Sequence, residues 1–221
     1  MKRLKIEMLL FLTIQALAIL PFAGQVQAAT KLYAGYLFKG YEWNAGKGID
    51  ALIYTINPYV GSGNVLYEWP CVILSYYPKY WIQVGYTKGP ATGYTLKYYT
   101  EKWDANGHSG VEHLPDGPTA GTTEGYTIRY RGSPVGKWDL LIQGHIRKSY
   151  TVNPYVAKDY QAFVESTFAC IIDGSHFSLL RYFDGSSWYY WYTHVRRADY
   201  PFWVSEISNY EFTAWTTIPL A

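Results

Sequence analysis

The sequence predicts an all-β protein built as an antiparallel two-sheet β-sandwich, or jelly roll. After about residue 30 the chain has almost no apolar pattern of helical period, and many short runs alternate apolar and polar side chains. These runs are rich in β-branched and aromatic residues, and the 221 residues include 24 Tyr and 9 Trp. Turn residues separate the runs at intervals of about 8–12 residues, which is typical of a sandwich.

The first half of the chain contains five predicted strands. Each is a run of Tyr, Trp, Val, Ile or Thr that ends at residues favouring β-turns, such as Asn57-Pro58 and Gly61–Asn64. In chain order these strands are Lys31–Tyr41, Gly48–Ile56, Leu66–Tyr77, Tyr80–Thr87 and Tyr94–Trp103.

The second half contains seven more predicted strands, of which the longer ones are expected to bend. Turn signals such as Gly132–Pro134, Asp173-Gly174 and Asp184-Gly185 separate several of them. In order they are Gly125–Arg131, Lys137–Gly144, Ile146–Val152, Tyr160–Ile172, Phe177–Tyr182, Ser187–Arg196 and Phe202–Trp215. About a dozen strands with almost no helix predict a concanavalin-like sandwich.

One connection, Asp104–Glu124, is long and lacks periodicity. It is rich in Gly, Pro, Thr and charged residues. Loops of this length in small domains often carry function, so this segment is a candidate binding loop.

Residues 1–28 are predicted to be a secretory signal peptide, and residues 29–221 a single β-sandwich domain. The leader combines three basic residues near its start, an apolar stretch from Met8 to Pro21 and a small-residue cleavage site at Val26–Ala28. The apolar stretch is shorter than the roughly 20 residues of a membrane-spanning helix. We therefore expect a secreted or cell-surface protein without a membrane span after cleavage, with a retained anchor as the alternative.

The formal net charge of +2 belongs to this leader. Without residues 1–28 the chain keeps 16 basic and 16 acidic residues. A neutral chain without a basic patch gives no indication of nucleic acid or of an anionic membrane as a partner.

The two cysteines, Cys71 and Cys170, both lie in apolar, strand-like runs. In an oxidising compartment they are expected to form one disulfide between the middle and the last third of the chain. Two buried free thiols are the alternative.

Most catalytic and cofactor motifs are not found in the sequence. There is no glycine-rich phosphate loop before a helix, no Gly-x-Ser-x-Gly segment, and no setting that would activate a cysteine. His108, Glu112 and His113 share the long loop, but their spacing matches no recognised metal-ligand pattern, and we interpret them as solvated. We therefore expect no metal and no cofactor.

A cluster of rings at residues 188–192 predicts a binding surface. Both faces of this run carry aromatic side chains, so one face must lie outside the core. A thick aromatic core is the alternative for any single ring, but for the whole strand we expect a groove that holds polypeptide or polysaccharide. The candidate binding residues are Trp81, Trp188, Tyr190, Trp191 and Tyr192.

Gln83 is the first candidate catalytic residue. It lies in the middle of the aromatic strand Tyr80–Tyr86. An amide buried in a strand costs about 1–3 kcal/mol when its hydrogen bonds are not made, so Gln83 either faces solvent or has a partner.

Glu165 is the second candidate. It is the only charged residue in the ten that follow Asp159, and strand alternation puts Phe163 and Thr167 on its face. Apolar surroundings would raise the pKa of its carboxyl toward the range of a general acid or base. Glu101 and Glu124 are interpreted instead as solvated carboxylates.

These residues resemble the glutamic peptidases, of the eqolisin type and more loosely of the neprosin type. The similarity lies in the strand Tyr80–Tyr86, in Val164-Glu165, which places a glutamate 82 residues after Gln83, and in the last segment Ser208–Thr213. The resemblance implies a sandwich that carries a Gln83/Glu165 dyad, with Glu165 as general base and Gln83 as donor to the oxyanion.

A second resemblance covers most of the chain and brings no established activity. Runs such as Gly48–Thr55 and Trp81–Tyr86 are similar to uncharacterised secreted prokaryotic sandwich proteins. Three functions therefore remain open: an acid-active glutamic-type endopeptidase, a non-catalytic carbohydrate- or protein-binding module, and a structural component of an envelope.

Overall fold

A computed structural model describes residues 31–39, 46–108, 110–132, 136–154, 156–167 and 170–216 of the chain. Their regular structure is almost entirely β, with one short 3₁₀ turn at Pro90–Thr92. The predicted leader, residues 1–28, lies outside the described residues. Within the described ranges, no helix is long and apolar enough to cross a membrane.

The strands form two large antiparallel sheets, which confirms the predicted sandwich. The first sheet has the order β16 (Val195–Ala198), β1 (Leu32–Lys39), β12 (Asp159–Ser166), β4 (Leu66–Ser75), β5 (Tyr80–Lys88), β6 (Lys97–Asp104) and β7 (Gly107–His108). A further short strand, β8 (Glu112–His113), also pairs with β6.

The second sheet has the order β11 (His145–Thr151), β10 (Lys137–Ile142), β9 (Thr123–Tyr130), β2 (Gly48–Tyr54), β14 (Asp173–Phe183), β18 (Glu211–Thr216) and β17 (Phe202–Ser208). One more strand, β15 (Trp188–Tyr190), pairs with β14. A separate small ribbon joins β3 (Tyr59–Val60) to β13 (Cys170–Ile171).

The two faces of the first sheet have different environments. In β5, the side chains of Ile82, Val84 and Tyr86 enter the core between the sheets and are fully buried. The alternate positions on β4, among them Trp69, Cys71 and Ile73, belong to a second apolar cluster. Since successive side chains of a strand point to opposite faces, this second cluster lies on the face turned away from the other sheet.

Three predicted strands are each divided in two. The first part of the predicted strand Ser187–Arg196 is β15, which ends at Tyr190 and belongs to the second sheet. The second part is β16, which pairs with β1 in the first sheet. Between the two parts, the Trp191 side chain is buried in the inter-sheet core, where the chain passes from one sheet to the other. The other two divided runs are Tyr160–Ile172, which gives β12 and β13, and Phe202–Trp215, which folds into the hairpin β17–β18.

The long connection after β6 is more ordered than its sequence predicts. It contributes β7 and β8, and both pair with β6. The turn Asn106-Gly107, where Gly107 has a φ of 93°, reverses the chain and brings His108 beside Trp103. A segment interpreted as a solvated loop thus extends the first sheet.

The expected disulfide is wrong, because Cys71 and Cys170 are both free thiols. Each is buried, but Cys71 belongs to the outer cluster of the first sheet and Cys170 to the core between the sheets. The two sulfurs therefore lie in different layers of the molecule and cannot meet across one short bond.

Candidate active-site pocket

A pocket of about 780 Å³ lies on the outer face of the first sheet. Its floor consists of the alternate residues of five neighbouring strands, with Trp69 on β4 and Phe163 on β12 at its middle. The two rings contact each other edge to face, with their centroids 5.6 Å apart. Both Gln83 and Glu165 line this pocket.

The register of the strands fixes where the two candidates lie. Gln83 on β5 is opposite Cys71 on β4, and Trp69 on β4 is opposite Phe163 on β12. Glu165 follows Phe163 by two residues. Gln83, Trp69 and Glu165 therefore lie along one diagonal of the sheet, with the indole ring between the amide and the carboxylate. No hydrogen bond joins Gln83 to Glu165 directly; their hydrogen-bonding partners in the described chain are other residues.

Gln83 is only 5% exposed, and its amide has two partners on β6. Its Nε2 atom donates to Oε2 of Glu101 at 2.5 Å and to the hydroxyl of Tyr99 at 3.0 Å. Of the two alternatives for Gln83, solvent exposure or a specific partner, the structure shows a partner. It is Glu101, the residue directly opposite Gln83 in the β5–β6 ladder.

Glu165 is also 5% exposed and carries a countercharge. Its Oε1 atom lies 2.5 Å from Nζ of Lys31, the residue that precedes β1. Phe163 lines the pocket beside it, as alternation predicts, whereas Thr167 lies beyond the strand and binds the backbone of Val65.

Two tyrosines are opposite Glu165 on the neighbouring strands. Tyr33 on β1 and Tyr67 on β4 are its register partners. Burial and the nearby charges of Glu101 and Glu165 raise the pKa of Tyr67 to about 12, and burial also raises the pKa of Tyr33. Both phenols therefore stay protonated and remain hydrogen-bond donors across the working pH range of enzymes.

Glu101 and His108 were missed as site residues. The interpretation of Glu101 as a solvated carboxylate is wrong, since its side chain is buried among Gln83, His108 and the pocket rings. Glu124 is buried as well, and accepts a hydrogen bond from the hydroxyl of Tyr98 at 2.5 Å. In the sequence, the alternation Tyr99-x-Glu101-x-Trp103 on a strand was the available signal, because it puts the carboxylate on an aromatic face.

His108 connects the loop to the site. Its Nε2 atom contacts Oε1 of Glu101, and its ring stacks on Trp103 with centroids 5.3 Å apart. Trp81, a predicted binding residue, lines the pocket, and its ring centroid lies 5.9 Å from that of His108. His108 is exposed, as the solvated interpretation predicts, but its ring also contacts the site, whereas Glu112 is exposed and pairs with Lys148.

The protonation of Glu101 depends on competing influences. Burial raises the pKa of its carboxyl, and the Glu165 charge raises it further. The hydrogen bond and charge of His108 and the charge of Lys31 lower it. Burial is the largest of these influences, so the pKa of Glu101 lies above that of an ordinary glutamate.

The predicted aromatic strand does not belong to this pocket. None of residues 188–192 is among the pocket-lining residues, because β15 pairs with β14 in the opposite sheet. Trp191 is 1% exposed in the inter-sheet core, so its predicted binding role is wrong. Tyr190 and Tyr192 are half-exposed, and the Tyr190 ring contacts Tyr210 rather than a pocket ring. Trp188 instead packs against Phe183.

The side chains of the pocket do not form a metal centre. Across the described ranges, no group of three or more His, Cys, Asp and Glu residues is arranged to hold a metal ion. The polar groups nearest the two candidates are the amide of Gln83, the carboxylates of Glu101 and Glu165, the imidazole of His108 and the ammonium of Lys31.

Two solved peptidase structures share this architecture, and a galectin matches more weakly. A scytalido-glutamic peptidase bound to a peptide-based transition-state analogue matches with a TM-score of 0.63 and 10% identity, over 86% of this chain and 100% of that chain. SCP-B, a member of the Eqolisin family of peptidases in complex with the tripeptide Ala-Ile-His, matches with a TM-score of 0.58 and 9% identity over the same shares. The galectin LEC-6 of Caenorhabditis elegans matches with a TM-score of 0.37 and 4% identity, over 64% of this chain and 97% of that chain.

Comparison of the sequence adds no relative to these structural matches. No protein-family model matches the chain, and no curated protein matches it in sequence. At identities near 10% the first two matches show a common fold: the chain has the sandwich of the glutamic peptidases.

Proposed function

We propose that this chain is an acid-active endopeptidase of the glutamic type, secreted or held at the cell surface, with Gln83 and Glu165 as its catalytic residues. One observation carries the proposal: both side chains line a single pocket, on a fold that matches glutamic peptidases over 86% of the chain. The predicted leader at residues 1–28 supports the location.

The proposed reaction is the hydrolysis of a peptide bond that lies between the two side chains. The Glu165 carboxylate takes a proton from a water molecule as the water oxygen attacks the carbonyl carbon. The electron pair of the C=O bond moves to its oxygen, and an N–H of Gln83 stabilises that oxyanion. The C–N bond then breaks, the proton on Glu165 passes to the leaving amine, and the carboxylate is restored.

The surroundings of the dyad are suited to this chemistry. The buried rings of Trp69 and Phe163 make the floor of the pocket apolar. Electrostatic interactions are stronger in such apolar surroundings, so one well-placed donor has a large effect. The Lys31 ammonium balances the charge of Glu165 when no substrate is bound.

The first prediction concerns the two catalytic residues. We expect wild-type protein to cleave a denatured protein substrate between about pH 3 and 6, the acid range in which a carboxylate works as a general base. Glu165→Gln is expected to lower kcat/KM by about 10²–10⁴-fold, since it removes the base. Gln83→Ala is expected to lower it by about 10²–10³-fold, since it removes the oxyanion donor.

Glu112→Gln is the matched control. It makes the same chemical change at an exposed carboxylate outside the pocket, and its activity should equal that of the wild type. Undiminished hydrolysis by Glu165→Gln would refute the assignment. So would a wild-type protein that cleaves no peptide bond anywhere in this pH range.

A non-catalytic binding module is the second candidate. The observation that favours it is the concentration of rings in the pocket, where Trp81 and Trp103 flank His108 and the Lys79 ammonium lies 4.8 Å from the Trp103 ring centroid. Such rings bind the flat apolar faces of sugars as well as peptide side chains.

Retention on immobilised polysaccharides tests this candidate. Trp81→Ala should lose retention because its ring lines the pocket, and Trp188→Ala, whose ring lies outside the pocket, is the matched control. Equal retention of wild type and Trp81→Ala would exclude the pocket as a polysaccharide site.

A further inference from the structure

The hydrogen bonds of Gln83 conflict with the role proposed for it. A primary amide has two N–H groups. One donates to Glu101 Oε2 and the other to the Tyr99 hydroxyl. Both donors are thus directed along the sheet toward β6. An amide in this orientation has no N–H left for a developing oxyanion.

The acceptor that holds the amide is a carboxylate, and a carboxylate can change its role. When ionised, Glu101 can only accept hydrogen bonds, so it attracts the NH₂ group of Gln83. When protonated, it can donate its own O–H to Oε1 of Gln83. The Tyr99 hydroxyl can likewise donate to Oε1 instead of accepting from Nε2.

A half-turn of the amide exchanges its oxygen and nitrogen. The terminal torsion of glutamine is broad and roughly two-fold, so this turn needs no movement of the strand. After the turn, Oε1 faces Glu101 and Tyr99, while Nε2 takes the position that Oε1 held before. The N–H groups then point away from β6.

We propose that Glu101 is a positioning residue whose protonation turns the Gln83 amide and releases its N–H groups for the oxyanion. Glu101 does not touch the reacting atoms and acts through Gln83. The inference rests on the proposed function only where the freed N–H groups of Gln83 stabilise the oxyanion. The coupling between the Gln83 amide and Glu101 is a property of the folded chain and does not need catalysis.

The groups that face Glu101 come from every strand around it. His108 on β7 makes a direct contact, Lys31 lies before β1, and Glu165 is on β12. The neutral titratable neighbours are Cys71 and Tyr67 on β4, Tyr99 on β6, Tyr33 on β1 and Tyr150 on β11. Burial raises the pKa of Cys71 and of all these tyrosines, so they stay neutral while Glu101 titrates.

The direction of the pH effect follows from Glu101 itself. Burial raises the pKa of its carboxyl, so the carboxyl keeps its proton at a higher pH than an ordinary glutamate does. The donor is therefore free in acid and is withdrawn as the pH rises through the pKa of Glu101. Above that pKa the active fraction falls about tenfold per pH unit.

The decisive experiment follows the side-chain amide of Gln83 by ¹⁵N–¹H NMR from pH 3 to 8. The signal is assigned by its loss in Gln83→Ala. We expect the two amide protons to shift with a single midpoint in the wild type and to lose this titration in Glu101→Gln, since the variant has no ionisable group there. An unchanged titration in Glu101→Gln would overturn the inference.

His108→Ala provides a second variant with a predicted sign. His108 lowers the pKa of Glu101, so its removal should move the midpoint of the Gln83 amide to higher pH. A midpoint that stays in place or moves to lower pH contradicts the proposal. Neither readout requires catalysis, so the outcome is separate from the test of peptidase activity.

The catalytic readout is the ratio of kcat/KM at pH 4 to that at pH 7. This ratio should be large in the wild type and at least tenfold smaller in Glu101→Gln. A structural role for Glu101 would instead lower kcat/KM by the same factor at both pH values. If the wild type cleaves nothing, the proposed function fails and the NMR titration alone decides whether Glu101 turns the amide.

Discussion

At the scale of single residues, two buried polar groups near each other have opposite surroundings. Gln83 faces the outer pocket, where Glu101 and Tyr99 satisfy its amide. Glu68 on β4 points the other way, into the core between the sheets, and is fully buried. Its Oε1 atom accepts a hydrogen bond at 2.5 Å from the hydroxyl of Ser175 on β14, so the carboxyl bridges the two sheets.

The burial of Glu68 predicts a pH-dependent stability. Burial raises the pKa of its carboxyl to about 7, above the 4.5 that applies in the unfolded chain. The folded state thus binds more protons between about pH 4.5 and 7, and stability falls as the pH rises through this range. The full effect is roughly 3 kcal/mol, at about 1.4 kcal/mol per pKa unit.

The corresponding prediction is made for Glu68→Gln. The variant keeps an oxygen for Ser175 and carries no charge, so at pH 8 it should be more stable than the wild type, by up to roughly 3 kcal/mol. At pH 4 the two proteins should differ little. Urea unfolding at both pH values measures this, with the exposed Glu112→Gln as control. A wild type that is equally stable at pH 4 and 8 would contradict the raised pKa.

The sequence could identify Gln83 and Glu165 but not the residues that contact them. A lone polar residue in an apolar strand stands out in any sequence, and both candidates do line the pocket. The contact of Gln83 with Glu101 depends on the register between β5 and β6. That register is fixed by the connection through Pro90–Thr92, whose geometry no local pattern specifies. The His108 contact depends in the same way on a turn inside a loop of mixed composition.

At the scale of strands, the predicted elements are mostly found where the sequence places them. Three predicted strands are divided in the structure. In the run that gives β15 and β16, the two halves belong to different sheets. Composition alone cannot predict such a break, because both halves have the same aromatic, strand-forming residues. Between β15 and β16, the side chain at the break, Trp191, is buried in the core between the sheets.

The pairing of β4 with β5 depends on a glycine. A Cβ added at Gly85 would lie 1.9 Å from the backbone oxygen of Glu68, so the two strands could not keep their present spacing. The Gly85→Ala variant should therefore lose about 1–3 kcal/mol of stability, as overpacked sites do.

Gly125→Ala on β9 is the matched control for this prediction. A Cβ there meets only the Leu52 side chain, at an ordinary 3.6 Å. This variant should be neutral or slightly stabilised, because alanine restricts the unfolded chain. Thermal unfolding compares the two variants, and an equal Tm would show that β4 and β5 tolerate the methyl group.

At the scale of the whole molecule, hydrophobic burial in two separate clusters holds the fold without a covalent crosslink. One cluster fills the space between the sheets and the other forms the outer pocket. With Cys71 in one and Cys170 in the other, the thiols are separated by the sheet itself. The stability of the described chain therefore comes from non-covalent interactions.

A redox experiment tests this arrangement. We expect the Tm to be the same with and without dithiothreitol, since no disulfide is there to be reduced. Both thiols should react with Ellman's reagent in denaturant without prior reduction, giving two per chain. A Tm that falls in reductant, or fewer than two reactive thiols, would show that a disulfide forms after all.

The separation of the two clusters has a consequence for engineering. On β1, β4, β5, β6 and β12, the residues lining the pocket carry odd numbers and those filling the inter-sheet core carry even numbers. A combinatorial library confined to the odd positions would change the shape and charge of the pocket while the even positions keep the core between the sheets. In this chain, alternate letters of the same strands encode the outer pocket and the core between the sheets.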